Sequence, residues 1–272
     1  MNPEQWDAVR QNDSHSLILA GAGTGKTRVI THKVAYLVDV LGFKPFQIMA
    51  VTFTNKAAGE IKERVGRMLD GELDWPYFGT FHSQGLRMVR RHADLLGFDN
   101  NLTICDDQDQ QALVKRVLNE LDLDPKHYPP RQAAGFIDGC KNRFQYPEDL
   151  PEEAWNDDRQ IFAQVYRLYQ KRLRAANGVD FGDLICLPVK LLREQPAVKS
   201  MYQFHLKHLL VDEFQDTNTA QYLWLKELGS AENLVTVVGD DDQSIYRWRG
   251  AEVGNILSFP REFPGTRITK LE

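Results

Sequence analysis

No stretch of this sequence offers eighteen or so consecutive apolar residues, so no membrane-spanning helix is expected. The N-terminus, Met1-Asn2-Pro3-Glu4-Gln5, is polar and lacks the basic-then-apolar order of a secretory signal. Cysteine is scarce. Cys105, Cys140 and Cys186 are isolated and odd in number, which argues against a disulfide framework or a thiolate metal site and suits reduced core thiols of a cytoplasmic protein. The seven histidines fall at no metal-ligand spacing, and no internal repeat or low-complexity segment occurs. A positive balance is lacking too. Lys and Arg number 33 against 38 Asp and Glu, leaving −5, so any contact with nucleic acid has to come from a local basic face. What remains is an ordinary globular composition, 42% hydrophobic and 26% charged, over 272 residues: enough for one large domain or two smaller ones.

What is present is organised around Ala20-Gly21-Ala22-Gly23-Thr24-Gly25-Lys26-Thr27. The apolar run Leu17-Ile18-Leu19 precedes it, and apolar residues at Ile30, Val34, Leu37, Val38 and Leu41 follow at helical spacing. Strand, glycine-rich loop and helix are the setting a phosphate-binding loop needs. Glycines let the backbone wrap a phosphate, and amides at the new helix N-terminus face the anion. In this reading Lys26 reaches the β- and γ-phosphates of ATP and the Thr27 hydroxyl binds Mg²⁺. The loop opens on Ala20 where the strict pattern has glycine.

The chain around this loop alternates strands and helices. Residues 48–53 and 77–81 read as buried strands, with a helix between them carrying Ala57, Ile61, Val65 and Met68 on one face. From about 84 to 204 nearly every segment reads as helix: 86–96, one starting near Asp106, one after Pro129-Pro130, one carrying Ile161, Val165, Leu168 and Leu173 up to Asn177-Gly178, and one over 179–192. The α/β pattern returns at 208–211, 222–228, 234–238 and from Ile268. The expected fold is α/β: a parallel P-loop sheet covered by helices over 1–83 and 205–272, with a helical subdomain inserted at 84–204. Arg87, Arg90, Arg91, Lys115, Arg116, Lys141, Arg143, Arg167, Lys171, Arg172 and Arg174 are placed on the insertion's outer faces, where they suit either a nucleic acid or plain solvated helix surface.

Two strand ends carry further chemistry. The strand 208–211 ends in Asp212-Glu213, which brings adjacent carboxylates to the carboxyl edge of the sheet, where ligands bind in open α/β folds. Asp212 is assigned to Mg²⁺ and Glu213 to orienting and deprotonating water, a charged strand-to-loop turn being the plainer alternative. Beyond the next strand, Gln243 is placed to sense a γ-phosphate or to position water. Tyr246-Arg247-Trp248-Arg249 interleaves aromatics with arginines as single-stranded nucleic acid binding does, although Trp248 alone also suits a core.

These segments, in order, carry a resemblance. Asn2-Pro3-Glu4-Gln5, residues 20–28, AVTFTNKAA over 50–58, Gly79-Thr80-Phe81-His82, VDEFQDTN over 211–218 and VGDDDQSIYRWRGA over 238–251 resemble the UvrD/Rep/PcrA group of superfamily 1 DNA helicases, its UvrD branch most closely. Pro129-Pro130-Arg131-Gln132-Ala133 and Val179-Asp180-Phe181 extend the likeness through the insertion. Ala20 is usual in this group's loop. The resemblance implies a RecA-like core (1A) with a helical insertion (1B), ATP with Mg²⁺, and 3′-to-5′ unwinding of DNA in repair or replication. It implies that Gln5 reads adenine, that Arg28 lies near the base, and that Phe53, Asn55, His82, Tyr246 and Trp248 touch single-stranded DNA. Single/double-strand junctions and repair or replication proteins are the implied partners, and no membrane. It implies too that a second RecA-like core (2A/2B), absent from these 272 residues, completes the ATP site, so that this part alone is nearly inactive. A nucleotide-dependent DNA-binding module without turnover is the second reading. A P-loop kinase or transporter ATPase is the third, and it leaves AVTFTNKAA and TFH unexplained.

Overall fold

The structure, a computed structural model, describes residues 1–21, 23–69, 73–150, 157–240 and 254–271. In chain order its elements are α1 (Pro3–Arg10), β1 (Ser16–Ala20), α2 (Lys26–Asp39), β2 (Ile48–Thr52), α3 (Asn55–Met68), β3 (Phe78–Thr80), α4 (Phe81–Arg91), β4 (Thr103–Cys105), α5 (Asp107–Glu120), α6 (Pro130–Asn142), α7 (Asp157–Ala175), β5 (Gly178–Asp180), α8 (Asp183–Glu194), α9 (Pro196–His205), β6 (His208–Val211), α10 (Thr219–Leu228), β7 (Leu234–Gly239), α11 (Gly254–Glu262) and β8 (Arg267–Leu271). The chain divides into two compact units, one of Met1–Gln84 with Leu191–Glu272 and one of Gly85–Lys190.

In the first unit a six-stranded sheet runs in the order β3-β2-β6-β7-β1-β8. Every pairing within it is parallel. The inner strands are mostly apolar and almost wholly buried, because helices cover both faces of a parallel sheet. The step from β1 to β2 crosses β7 and β6, whereas β6 to β7 steps the other way. Right-handed crossovers therefore put α2 on one face and α10 on the other. On the first face Val29, Ile30, Val34 and Leu37 of α2, with Ala8, Val9, Ile61 and Val65, pack on Ile18, Ile48, Ala50, Leu210 and Val238. On the other, Phe214 meets Phe259 of α11 at 5.6 Å, and Phe259 stacks on Phe263 at 4.6 Å. Each buried Val, Leu, Ile or Phe among these contributes roughly 1.5–3 kcal/mol. α9 belongs to this unit: Lys199 Nζ lies 2.6 Å from Glu227 Oε2, and Gln203 Nε2 donates to the carbonyls of Glu227 and Gly229 at the end of α10.

A histidine is sealed into the same sheet. His208 opens β6, buried, with its ring edge-on to Phe43 at 4.6 Å. Burial, and then the charge of Lys33, push its pKa down to about 3. The native state thus keeps His208 neutral at pH values where an unfolded histidine, titrating near 6.5, takes up a proton. The stability this confers is complete above about pH 6.5 and is lost as pH falls toward 3. Thermal melts at pH 7 and pH 4 should lose on the order of a few kcal/mol more in the wild type than in His208→Leu. Equal acid sensitivity of the two would remove His208 as the cause.

The second unit is helical, with a core of Val114, Val117 and Leu118 from α5, Ala133, Ala134, Ile137 and Cys140 from α6, and Val165, Tyr166, Tyr169 and Leu173 from α7. Three features depart from the expectations above. Val179 and Asp180 do not start the last helix but pair in a short parallel ladder with β4. Asp180 Oδ1 accepts the Asp183 N–H at 2.8 Å, and α8 begins only at Asp183. Lys141, expected on the outer surface, is fully buried, with Nζ 2.6 Å from Asp180 Oδ2 and 2.8 Å from Asp183 Oδ1. Burial disfavours its charge, but the two carboxylates outweigh it and hold the ammonium above the ordinary lysine range. Arg172 and Arg174 are also engaged within the unit, Arg172 with Glu120, and Arg174 over the Phe98 ring at 3.8 Å and on the Leu96 carbonyl. Lys115, Arg116, Arg167 and Lys171 remain exposed. All three cysteines are free and buried.

Candidate functional site

The site grows from the carboxyl edge of the sheet. β1 ends in the buried Ala20, and the chain turns through Gly21, Thr24 and Gly25 into α2, whose first residue is Lys26. Gly23 (φ 80°) and Gly25 (φ 92°) hold left-handed backbone that only glycine adopts freely. The turn is braced locally by the Thr24 hydroxyl, which donates to the Gly21 carbonyl at 2.8 Å. α1 braces it from outside. Asn2 and Gln5 form a capping box, and Gln5 Nε2 donates to the Thr24 carbonyl at 2.8 Å. Gln5, expected at the adenine, therefore also ties α1 to the phosphate-loop turn. A Cβ on Gly25 would come 3.0 Å from that same Nε2. Lys33 makes a second tie: its buried ammonium, pushed down to about 8 by burial, donates to the Ala8 carbonyl at 3.2 Å and to the Gln11 carbonyl at 2.5 Å. Arg28, in the first turn of α2, is exposed.

The acidic pair arrives from β6, two strands away across β7. Asp212 N–H still donates to the Val51 carbonyl at 3.0 Å, so Asp212 is held by the sheet itself. Glu213 then breaks from it with φ 50° and ψ 44°. A non-glycine residue there costs roughly 1–3 kcal/mol, which the surrounding bonds have to offset. Its Oε2 lies 3.1 Å from Lys26 Nζ. Asp212 is 3% exposed. Burial, then the Glu213 carboxylate, push its carboxyl up to about 6, while the Glu213 N–H, Lys26 and a hydrogen bond from the Thr27 hydroxyl act against the rise. A hydroxyl and a buried carboxylate in contact, beside a second carboxylate, form an oxygen donor set that suits Mg²⁺, which takes one or two protein carboxylates and completes its shell with water and substrate phosphates. Among the described residues no group of three or more His, Cys, Asp or Glu could hold a metal by itself.

The sequence reading passed over Gln215. It is buried, donates from Nε2 to Glu213 Oε2 at 2.7 Å and accepts from the Asp240 N–H through Oε1 at 3.0 Å. Its signal was its place inside VDEFQDTN, two residues past the acidic pair.

The residues expected on DNA follow the next strands. Thr52 of β2 pairs in register with Thr80 of β3, so Phe53 and Phe81 leave the sheet side by side and meet at 5.9 Å. Phe81 in turn meets the buried Trp224 at 5.9 Å. Phe53 is half-buried and Asn55, at the start of α3, is exposed. His82 sits in the first turn of α4, which Thr80 and Ser83 cap reciprocally: each hydroxyl accepts the other's N–H, at 3.1 and 2.9 Å. Ala22, Gln243, Tyr246 and Trp248 lie outside the described residues.

Comparison with known proteins gives the chain a family. Residues 1–264 match the UvrD/REP helicase N-terminal domain. The chain is 44% identical over 272 residues to the ATP-dependent DNA helicase PcrA of Bacillus subtilis (strain 168), covering 100% of this chain and 37% of that protein. The PcrA of Staphylococcus aureus (strain Mu50 / ATCC 700699) gives the same identity and the same coverage. The chain thus spans 37% of the length of these curated relatives. With a parallel P-loop sheet, an acidic strand end facing its lysine and a family match over almost every residue, the chain belongs to the UvrD/Rep helicase N-terminal domain family.

Proposed function

We propose that this chain is the ATP- and single-stranded-DNA-binding part of an ATP-dependent DNA helicase acting 3′ to 5′ in repair or replication, in the cytoplasm. The observation that carries the reading is the meeting of Lys26 with Glu213 and of Thr27 with Asp212 at the carboxyl edge of one parallel sheet. In it, Lys26, Gly21, Gly23, Gly25 and the α2 N-terminus bind the triphosphate. Thr27 and Asp212 hold Mg²⁺, which when bound offsets the charge of the β- and γ-phosphates. Glu213 orients and deprotonates the attacking water, Gln5 and Arg28 flank the base, and Gln243 senses the γ-phosphate. Phe53, Asn55, His82, Tyr246 and Trp248 take the single strand, stacking supplying about 1–3 kcal/mol per base. The sheet unit plays the part of core 1A and the helical unit, Gly85–Lys190, that of 1B, placed beside duplex at a junction. A second core supplies the other wall of the ATP site, and residues 1–272 alone hydrolyse ATP near background.

The test is phosphate release with and without single-stranded DNA, from residues 1–272 and from a protein of the relatives' length that carries them. The longer protein should turn over only slowly until DNA is added. The shorter should stay at background, since groups contributed in trans to a transferring phosphoryl are worth about 10³–10⁵ in rate. Turnover by the longer protein that ignores DNA would sink the helicase reading. DNA-stimulated turnover by residues 1–272 at the longer protein's rate would make a second core dispensable.

A further inference from the structure

The reading above leaves one buried polar side chain of the site without a role. Gln215 lies in the short turn that follows Glu213, and at 3% exposure it is as hidden as a core residue. A primary amide offers two donor protons and an acceptor oxygen, and burying it without partners is costly. Both of its ends are used. Nε2 donates to Glu213 Oε2 at 2.7 Å, the same oxygen that Lys26 approaches to 3.1 Å. Oε1 accepts from the Asp240 N–H at 3.0 Å, just past the end of β7.

The neighbouring strand is built around this side chain. A Cβ on Gly239 would stand 2.9 Å from Gln215 Oε1 and 3.3 Å from its backbone nitrogen. Gly239 is not in a left-handed conformation, so what disfavours a side chain there is the closeness of Gln215 and not the backbone. The turn itself is fixed by the Asp216 N–H on the Glu213 carbonyl (2.9 Å) and the Thr217 N–H on the Phe214 carbonyl (3.1 Å). A second side chain, Asn255 at the start of α11, holds the same turn through the Thr217 carbonyl at 3.0 Å. Gln215 is thus a buried strut between the strand end that carries Glu213 and the strand end that leads toward Gln243.

Lys26 cannot fix the Glu213 carboxylate during the reaction, because in the proposed role its ammonium goes to the phosphates. Once it does, Gln215 is the described partner that stays on Glu213 Oε2. We propose that Gln215 is a positioning residue for ATP hydrolysis: it holds the Glu213 carboxylate in its working orientation by hydrogen bonding it to the end of β7. The proposal rests on the reading of Glu213 as the base. Its expected signature is loss of turnover without loss of nucleotide. A misplacement of about 1 Å in a reacting group can cost 10²-fold.

The experiment uses a protein of the relatives' length that carries this chain, with single-stranded DNA present. It compares Gln215→Leu and Gln215→Met, alone and combined with Glu213→Gln. Gln215→Met keeps the length of the side chain, adds no charge and lacks the amide donor for Glu213, so it still reports if Gln215→Leu folds poorly. Both should lower kcat about 10–100-fold while the Kd of a fluorescent Mg·ATP analogue stays within about twofold. On the Glu213→Gln background neither should lower the residual rate further, because there is no carboxylate left to position. A kcat within about twofold of wild type in Gln215→Met overturns the proposal. So does a loss carried by Kd, or one that multiplies onto that of Glu213→Gln. Glu213→Gln alone separates the two levels. If it retains the wild-type rate, the base assignment fails and the strut has nothing to position; if it is inactive while Gln215→Met is normal, only the strut fails.

Discussion

Lys26→Ala is expected to lower ATP hydrolysis by about 10²–10³ in a helicase carrying this chain, the usual cost of deleting one preorganised electrostatic group at a reacting centre. Lys26 is the first residue of α2, so its ammonium adds to the positive N-terminal end of the helix dipole. It stands 3.1 Å from Glu213, and behind Glu213 lies the buried Asp212. Its loss therefore acts twice. The β- and γ-phosphates lose a cation, and two neighbouring carboxylates lose the charge that offsets them, which makes the pocket more repellent to a polyanion. Nucleotide affinity should fall along with turnover, by about tenfold or more for one charge-assisted bond of 1.5–3 kcal/mol. The fold should survive, because Lys26 stands at the sheet edge and is not among the residues of the core that α2 builds against the sheet. Phosphate release, titration with a fluorescent ATP analogue and a thermal melt give the three readings. Turnover at the wild-type rate would remove the phosphate-loop assignment.

How much of this was legible in the sequence depends on how local each signal is. β1, the phosphate-loop turn and α2 were readable because an apolar run, glycines that need left-handed backbone and a helical apolar stripe follow one another without a gap. The pair Asp212-Glu213 was readable because a buried strand ends at it. The strand order was not, since nothing near β6 says that it lies between β2 and β7. β4 and β5, three residues each, are too short for alternation to register, and Val179-Asp180 was absorbed into the helix that follows. Lys141 went to the surface because spacing along α6 gives a polar position and no partner; Asp180 and Asp183 approach it from about forty residues away. Gln215 is the same case within the site. A glutamine in a polar turn looks solvated until β7 is placed beside it.

Asp212→Ala and Glu213→Gln should separate binding from chemistry. Asp212 is held by its N–H on the Val51 carbonyl, buried, and in contact with the Thr27 hydroxyl. Burial, then the neighbouring Glu213 carboxylate, drive its carboxyl up to about 6, and a positive charge beside it would offset both. In the proposed role a divalent ion arriving with ATP would supply that charge. Asp212→Ala removes the ion's protein carboxylate, so Mg²⁺-dependent nucleotide binding should weaken, and added Mg²⁺ should restore it only in part. Glu213 stands differently. It is more exposed, left-handed in backbone, and in reach of Lys26 and Gln215. Glu213→Gln keeps the shape and removes the basic oxygen. Mg·ATP should bind within about twofold of wild type, and hydrolysis should fall about 10²–10⁴-fold, the range a general base supplies. The change also relieves Asp212 of its nearest like charge, so Mg²⁺ affinity should not drop. Titrating Mg²⁺ against a fluorescent ATP analogue in both variants, beside single-turnover phosphate release, reads the two effects separately. If Glu213→Gln loses Mg²⁺-dependent binding while Asp212→Ala binds normally and fails only in hydrolysis, the two roles are reversed, and the strained backbone at 213 serves the metal and not the water.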